Sequence, residues 1–514
     1  MTQADGLERL AGCVLWPGFL GHEVPSWLAD ALAEGLAGVV YFAQNLGGDT
    51  AALSAEIHRL NPQALIGIDE EGGSVTRLET ETGSTVPGAA QLGVVDDLDA
   101  TRATGYEIGR RVDSIGADVV IGPVADVNTD PRNPVIGVRA FGADTGLVSR
   151  HVAAAVQGVQ SAGVAACAKH YPGHGDTHTD SHHDLPHIDL DEDEIRAVHL
   201  PPFVAATRAG VQAIMTAHIT AAHWGDAPAT LNPAVLGGLR ASGFDGVIIT
   251  DALDMAAIRE TVGIGEGAVR ALAAGADLLC IGNPTNPGPE MLPGQDEHDF
   301  LAARDAIVAA LRSGDLPRQR VEDAARRVAA MADAVRARPG ASHTTASEVS
   351  LDADAIADRA VRISGDPAPH DDGPTTVIDL RRPSSLAVDS AAAHVAVALA
   401  AGGEIVRLDA ETASDAEITT ARNTITATGA PAQCVILVDR ADEGAPQRAV
   451  LDSIRAAIPA DLAAHVAVVN VGMPADIDGP VVSSPAASPL AARAARRALQ
   501  RPKPTPISTE EEQR

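Results

Sequence analysis

Eight short apolar runs, separated by Ala-rich stretches of helical spacing, limit what this chain can become. They lie at 12–16, 38–43, 64–68, 117–121, 164–168, 213–217, 246–250 and 277–281. Each is long enough for a buried strand and too short for a helix. The segments between them, such as 98–115, 144–162 and 192–209, place apolar residues at helical intervals. Strands that alternate with helices form parallel sheets. Eight such units predict a (β/α)8 TIM-type barrel rather than an open sheet. Polar residues follow most runs: Asn45, Asp69-Glu70-Glu71, Asp126 with Asn128, Lys169-His170, His218, Asp251 and Asn283. A single one could be a helix cap. Their repetition predicts a pocket on one face of the barrel, able to hold a polar, hydroxyl-rich ligand.

The barrel is expected over 1–340, with a Pro/Gly-rich and then acidic surface loop at 285–300 followed by two helices at 299–313 and 318–337. A polar linker carrying a helix at 351–363 is expected over 341–374. Residues 375–500 alternate again, with strands at 375–380, 404–409, 433–439 and 464–471 and helices near 389–401, 415–428, 447–462 and 487–499. This predicts a smaller three-layer αβα sandwich. It has no GxGxxG fingerprint and no P-loop, so no nucleotide cofactor is expected. The tail 501–514, rich in Pro and Glu, is expected to be disordered.

A net charge of −31 argues against nucleic acid or an anionic membrane as partner. The four cysteines are far apart, which fits a reducing compartment and no disulfide framework. Leu10-Ala11-Gly12-Cys13 has the look of a lipoprotein cleavage box, but Asp5, Glu8 and Arg9 precede it without an apolar stretch. No apolar run is long enough to cross a bilayer, so the expected location is cytoplasmic. Nothing in the pattern speaks to oligomeric state.

The stretch 164–187 is the chemical centre of the sequence. It holds six of the seventeen histidines and Lys169, one of only two lysines. His170, His174, His178 and His182 recur every fourth residue, which on a helix would make a metal-binding stripe. Pro172, Gly173 and Gly175 forbid that helix, and no HExxH is present, so no metal is expected. The apolar run 164–168 reads as a buried strand ending at Lys169, where barrel enzymes place ionisable groups.

Four blocks here resemble the bacterial β-N-acetylglucosaminidases of glycoside hydrolase family 3. They are Lys169-His170-Tyr171-Pro172-Gly173-His174-Gly175 with Asp180-Ser181-His182; Ile68-Asp69-Glu70-Glu71-Gly72-Gly73 with Val75 and Arg77; Pro123 to Asn128 running on to Arg139-Ala140-Phe141-Gly142; and Ile249-Thr250-Asp251-Ala252-Leu253-Asp254-Met255. The resemblance spans roughly residues 10–285. It implies a retaining exo-hydrolase that releases terminal β-linked N-acetylglucosamine from peptidoglycan-derived fragments or short chitin oligomers, without a cofactor. Asp251 would be the nucleophile that forms the covalent glycosyl-enzyme. The competing reading for Asp251 is an N-cap for a helix at 252–260, and Asp254 is expected to face water. The proton donor implied is His182, oriented by Asp180, although the residues alone do not exclude His183. An imidazole with an unperturbed pKa of about 6.5 can give and then take a proton near neutral pH. Asp69, Arg77, Arg139, Lys169 and His170 would bind the sugar, and His218 either lines the same pocket or is a buried structural histidine.

Two departures from the family pattern, Glu70 for the usual Gln and Ser74 for the usual Arg, leave open N-acetylglucosamine against glucose as the preferred sugar. Three other functions compete. Phosphorolysis of the same bond would bring in inorganic phosphate as a partner beside the small carbohydrate. A β-glucosidase of the wider family is opposed by the intact Asp180 and His182 pair. A non-catalytic sugar-binding protein is opposed by the presence of both nucleophile and acid.

Overall fold

The structure is a computed structural model that describes residues 3–177, 185–287, 290–338, 351–367, 369–381, 392–427, 433–463 and 465–500. Contacts divide the chain into two compact units, Met1–Ala353 and Asp354–Arg514.

All eight apolar runs of the first unit are strands: β1 Leu15–Pro17, β2 Gly38–Tyr41, β3 Leu65–Ile68, β4 Val119–Val120, β5 Ala165–Tyr171, β6 Ala213–Thr216, β7 Val247–Ile249 and β8 Leu279–Gly282. Strands β2 to β7 pair in parallel in chain order, and β8 pairs with β1. A bridge between Ile249 and Leu278 joins β7 to β8. Between β1 and β2 the link is thinner, an Ala37 N–H donating to the Gly12 carbonyl at 2.9 Å just before the two strands, while Trp16 Nε1 on β1 reaches past β2 to the Leu65 carbonyl of β3 at 2.8 Å. This is the TIM-type barrel that alternation of strand and helix implies.

Side chains two residues apart on a strand share a face, and here alternate residues fill the barrel. Leu65, Val119, Ala165, Cys167, Ala213, Met215, Val247, Ile249, Leu278 and Cys280 form one buried cluster around Trp16. The chain has only three Trp, and Trp16 is fully buried. A Cβ on Gly67 would lie 2.2 Å from its ring, so glycine there makes room for the indole.

The lower end of the barrel is closed by helix Arg318–Arg336, whose Val328, Met331, Ala332 and Val335 join the same cluster. Buried carboxylates fasten it at both ends. Asp277 accepts from Arg320 at 2.8 Å, from the Ile248 N–H at 3.0 Å and from Arg240. Asp118 accepts from the Ile66 N–H at 2.8 Å and from Arg336. Both acids stand at the start of a strand, where an apolar reading of 117–121 and 277–281 gives them no role.

The second unit is an αβα sandwich with six strands among the described residues rather than four. They are β9 Arg362–Ser364, β10 Thr376–Asp379, β11 Ile405–Arg407, β12 Cys434–Val438, β13 Val466–Asn470 and β14 Val481–Ser483, in the order β9-β14-β13-β12-β10-β11. Only β9, antiparallel to β14, breaks the parallel pattern. One face of the sheet packs Val377, Val435, Leu437 and Val469 under helices Val395–Ala400 and Pro489–Gln500. The other packs Ile378, Ile436, Val438 and Val468 under Asp415–Ala427 and Pro446–Ala456. The helix expected at 351–363 is shorter, Ala353–Ala360. Residues 362–364 pair as a strand instead, because Val481–Ser483 offers them a sheet edge. Tail 501–514 lies outside the described residues.

Breaking a buried ion pair leaves an uncompensated charge, at a cost of about 3–5 kcal/mol. D277A should therefore lower the unfolding free energy of the barrel by about that amount in urea titrations. The upper mouth lies at the opposite end, so the variant should keep native function below its melting transition.

Candidate functional site

The alternation that fills the barrel also sets its mouth. Counting upward by twos, Leu65 and Gly67 lead to Asp69, Ala165 and Cys167 lead to Lys169, and Val247 and Ile249 lead to Asp251. Strand β5 runs on through Tyr171, so Lys169 and His170 are part of the strand rather than residues beyond its end. The Cys167 thiol records the convergence. Burial raises its pKa, Lys169 draws it down, and Asp69 and Asp251 push it up again.

Lys169 is buried, with Nζ 2.7 Å from Asp69 Oδ1 and 2.6 Å from Glu71 Oε1. Arg139 grips Glu71 through two bonds, Nε to Oε2 at 2.9 Å and an Nη to Oε1 at 2.8 Å. The Arg77 guanidinium lies 3.8 Å from Asp69 Oδ2. Three cations thus alternate with two carboxylates, and half-buried Asp69 keeps the larger exposure, at 20% of its side chain. Glu71 was not singled out as a site residue from sequence, yet it is the hinge of the network. The available signal was its position two residues from Asp69 on the same face. Burial works against the Glu71 charge, but Arg139 and Lys169 outweigh it and hold the carboxyl well below its ordinary range. Lys169 is likewise penalised by burial and more than restored by Asp69 and Glu71, so its pKa is raised.

His170 is oriented from behind. Its Nδ1 lies 2.8 Å from Asp126 Oδ2, and Asp126 Oδ1 accepts the N–H of His170 at 3.2 Å and of His174 at 2.7 Å. Burial opposes the Asp126 charge, and His170 more than compensates, so that carboxyl is also held low. A carboxylate on Nδ1 leaves Nε2 as the nitrogen available for other contacts. His174 serves the loop: its ring meets Thr177 Oγ1 at 2.9 Å and burial pushes its pKa down to about 4, so it stays neutral. Gly175 is needed for close approach, since a Cβ there would sit 1.8 Å from the Val127 carbonyl oxygen.

Asp251 is half-buried, with Oδ1 accepting the N–H of Ala252 at 2.8 Å. It is not a helix cap. The following helix starts only at Ala256, with Met255 in the N-cap position. His218 is fully buried, with Nε2 2.9 Å from the Ala252 carbonyl and Nδ1 2.9 Å from Thr230 Oγ1. It braces the turn that carries Asp251. Asp254 does not face water as expected. It is 1% exposed and accepts from Asn286 Nδ2 at 2.5 Å, because the chain after Asp251 is an irregular turn packed on β8.

Not every polar residue after a strand reaches the mouth. Asn45 donates to the carbonyls of Phe19 and Gly21, and Asn128 spans the Asp130 carbonyl and the Gly137 N–H. Both shape loops. Glu70 is fully buried and turned away from Asp69, so the added carboxylate does not enter the mouth. Asp180, His182 and His183 lie outside the described residues. Among the described residues no cluster of His, Cys, Asp and Glu is arranged to hold a metal ion, and no helix is long and apolar enough to cross a membrane.

Comparison with known proteins agrees with this geometry. The profile of the glycosyl hydrolase family 3 N-terminal domain matches residues 21–331. The chain belongs to glycosyl hydrolase family 3. It is 34% identical over 283 residues to a protein of Pseudoalteromonas piscicida named β-hexosaminidase A, a match covering 50% of this chain and 47% of that one. It is 36% identical over 266 residues to a β-hexosaminidase of Chromobacterium violaceum, covering 50% and 74%. The chain thus spans about half the length of the first of these relatives. Among solved structures, a family 3 β-N-acetylglucosaminidase from Paenibacillus sp. str. FPU-7 superposes with a TM-score of 0.81 at 29% identity, covering 97% of each chain.

The depressed Glu71 and Asp126 carboxyls make a prediction about acid. A carboxyl whose folded pKa is lowered contributes stability that is complete above its unfolded value, near 4, and lost as pH falls through the folded pKa. The first unit should therefore lose stability below about pH 4. E71Q should be destabilised at pH 7 but lose less than the native protein between pH 7 and 3.5, as read by urea unfolding at both pH values.

Proposed function

We propose that the chain is a retaining exo-β-N-acetylglucosaminidase that acts on peptidoglycan-derived fragments or short chitin oligomers. The observation that carries this reading is the convergence of Asp251 with the Asp69–Lys169 pair on one barrel mouth. Relatives named β-hexosaminidase or β-N-acetylglucosaminidase support it.

In this mechanism Asp69 accepts hydrogen bonds from two sugar hydroxyls, while Lys169, Arg77 and Arg139 donate to the ring substituents and His170 offers Nε2. Bonds with a charged partner are about twice as strong as neutral ones. Glu71 and Asp126 touch no sugar but keep these groups aimed. Asp251 attacks the anomeric carbon as the leaving oxygen takes a proton from His182, oriented by Asp180. Water, activated by the same imidazole, then breaks the glycosyl-enzyme ester. His218 holds the backbone at Ala252 and so positions Asp251.

D251A should lose at least about 1,000-fold in turnover of an aryl N-acetylglucosaminide while remaining folded. Unchanged activity would remove Asp251 from the chemistry. H182A should be impaired far more on substrates with poor leaving groups than on a dinitrophenyl glycoside, whose departure needs no proton. Equal losses on both would remove His182 as the acid. The native enzyme should prefer the N-acetylglucosaminide to the glucoside, with a release rate independent of added phosphate. Acceleration by phosphate with formation of a sugar 1-phosphate would contradict hydrolysis.

A further inference from the structure

Glu70 stands between Asp69 and Glu71 in sequence but points to the other side of the chain. Its Oε2 accepts the N–H of Arg77 at 2.9 Å and of Leu78 at 3.1 Å, and the Thr76 hydroxyl adds a third hydrogen bond. All three donors belong to the turn that presents Arg77 to Asp69. Oε1, fully buried, receives no donor from the protein. The carboxylate lines a cavity of about 40 Å³ bordered by helices Leu98–Ser114 and Thr145–Ser161 and walled mainly by Leu92, Ile108, Val124, Phe141 and Val159.

We propose that Glu70 is a positioning residue for sugar binding: ionised, it holds the Thr76–Leu78 turn so that Arg77 faces Asp69, and protonated, it releases that turn and weakens the sugar site. The inference rests on reading the mouth as a sugar site. Three donors converge on one carboxylate oxygen, and each bond weakens about twofold when the acceptor becomes neutral. The proton has a place to go, because Oε1 has no donor that would resist it.

The surroundings set where this happens. Burial pushes the Glu70 carboxyl up to about 7, against the pull of its three hydrogen bonds, and Glu79 adds to the rise. The other charges that face it are Arg77 on the same turn, Arg111 from helix Leu98–Ser114, and Glu71 and Arg139 across the cavity. Helices Ala89–Val95 and Thr145–Ser161 line the cavity with Ala89, Leu92, Ala155 and Val159 and bring no charge to it. Sugar affinity should then be greatest above pH 7 and fall as the pH drops.

Calorimetric binding of N-acetylglucosamine to the full chain, native and E70Q, from pH 5.5 to 8 tests this. Native affinity should fall about 3- to 10-fold from pH 8 to 5.5, whereas E70Q, which keeps an acceptor but cannot titrate, should vary much less. Parallel pH curves in the two proteins would overturn the inference and leave the sugar site intact. No binding by either protein at any pH would overturn the sugar reading itself. The native protein also provides a test without mutation. The ¹³C signal of the Glu70 carboxyl should titrate near neutral pH, and saturating N-acetylglucosamine should lower its midpoint by about half to one pH unit. A midpoint in the ordinary carboxylate range, or one that sugar leaves unmoved, would contradict the role.

Discussion

Moving an ammonium out of water costs several kcal/mol unless opposite charges meet it at close range. Lys169 is 3% exposed and meets two, Asp69 at 2.7 Å and Glu71 at 2.6 Å. Each of those carboxylates is in turn approached by an arginine, Arg77 and Arg139. None of these five groups is well placed alone. Neutralising Glu71 would leave Arg139 without its carboxylate and Lys169 with Asp69 alone, and removing Lys169 would leave Asp69 and Glu71 without the cation between them. The network is rigid because each charge needs its neighbours. Under the proposed function, a sugar that displaces none of them would meet donors and acceptors already aimed.

The two ends of the barrel use the same ingredients differently. At the lower end Asp118 and Asp277 are buried and met by arginines, Arg336 on one and Arg320 and Arg240 on the other, and by strand N–H groups. At the upper end Asp69 and Asp251 keep partial exposure while their neighbours are buried. Charge that is fully paired builds the fold, and charge left partly open at the C-terminal mouth is available for chemistry.

Much of this was legible in the sequence, and the failures have physical causes. The eight strands could be read because buried parallel strands are short uninterrupted apolar runs. The extension of β5 through Lys169, His170 and Tyr171 could not, since charge inside a strand is tolerated only where Asp69, Glu71 and Asp126 answer it from the segments that follow β3 and β4. The burial of Asp254 is not legible in the sequence, because it comes from Asn286 and the β8 backbone, far away in the chain. Strand β9 is three exposed residues paired at one edge, too short for any periodicity to show. Asp69, Arg77, Lys169 and His170 stood out through their motifs, while Glu71 and Asp126 act behind them and carry no signature of their own as supports.

In the proposed mechanism Asp251 forms the bond to the sugar. A 5-fluoro N-acetylglucosaminyl fluoride, whose glycosyl-enzyme breaks down slowly, tests it directly by intact mass and peptide mapping. A stoichiometric adduct of one sugar is expected on the peptide containing Asp251, with the label on Asp251 itself. An adduct on Asp254 or on any other carboxylate, or steady turnover of the reagent with no adduct at any time, would contradict it.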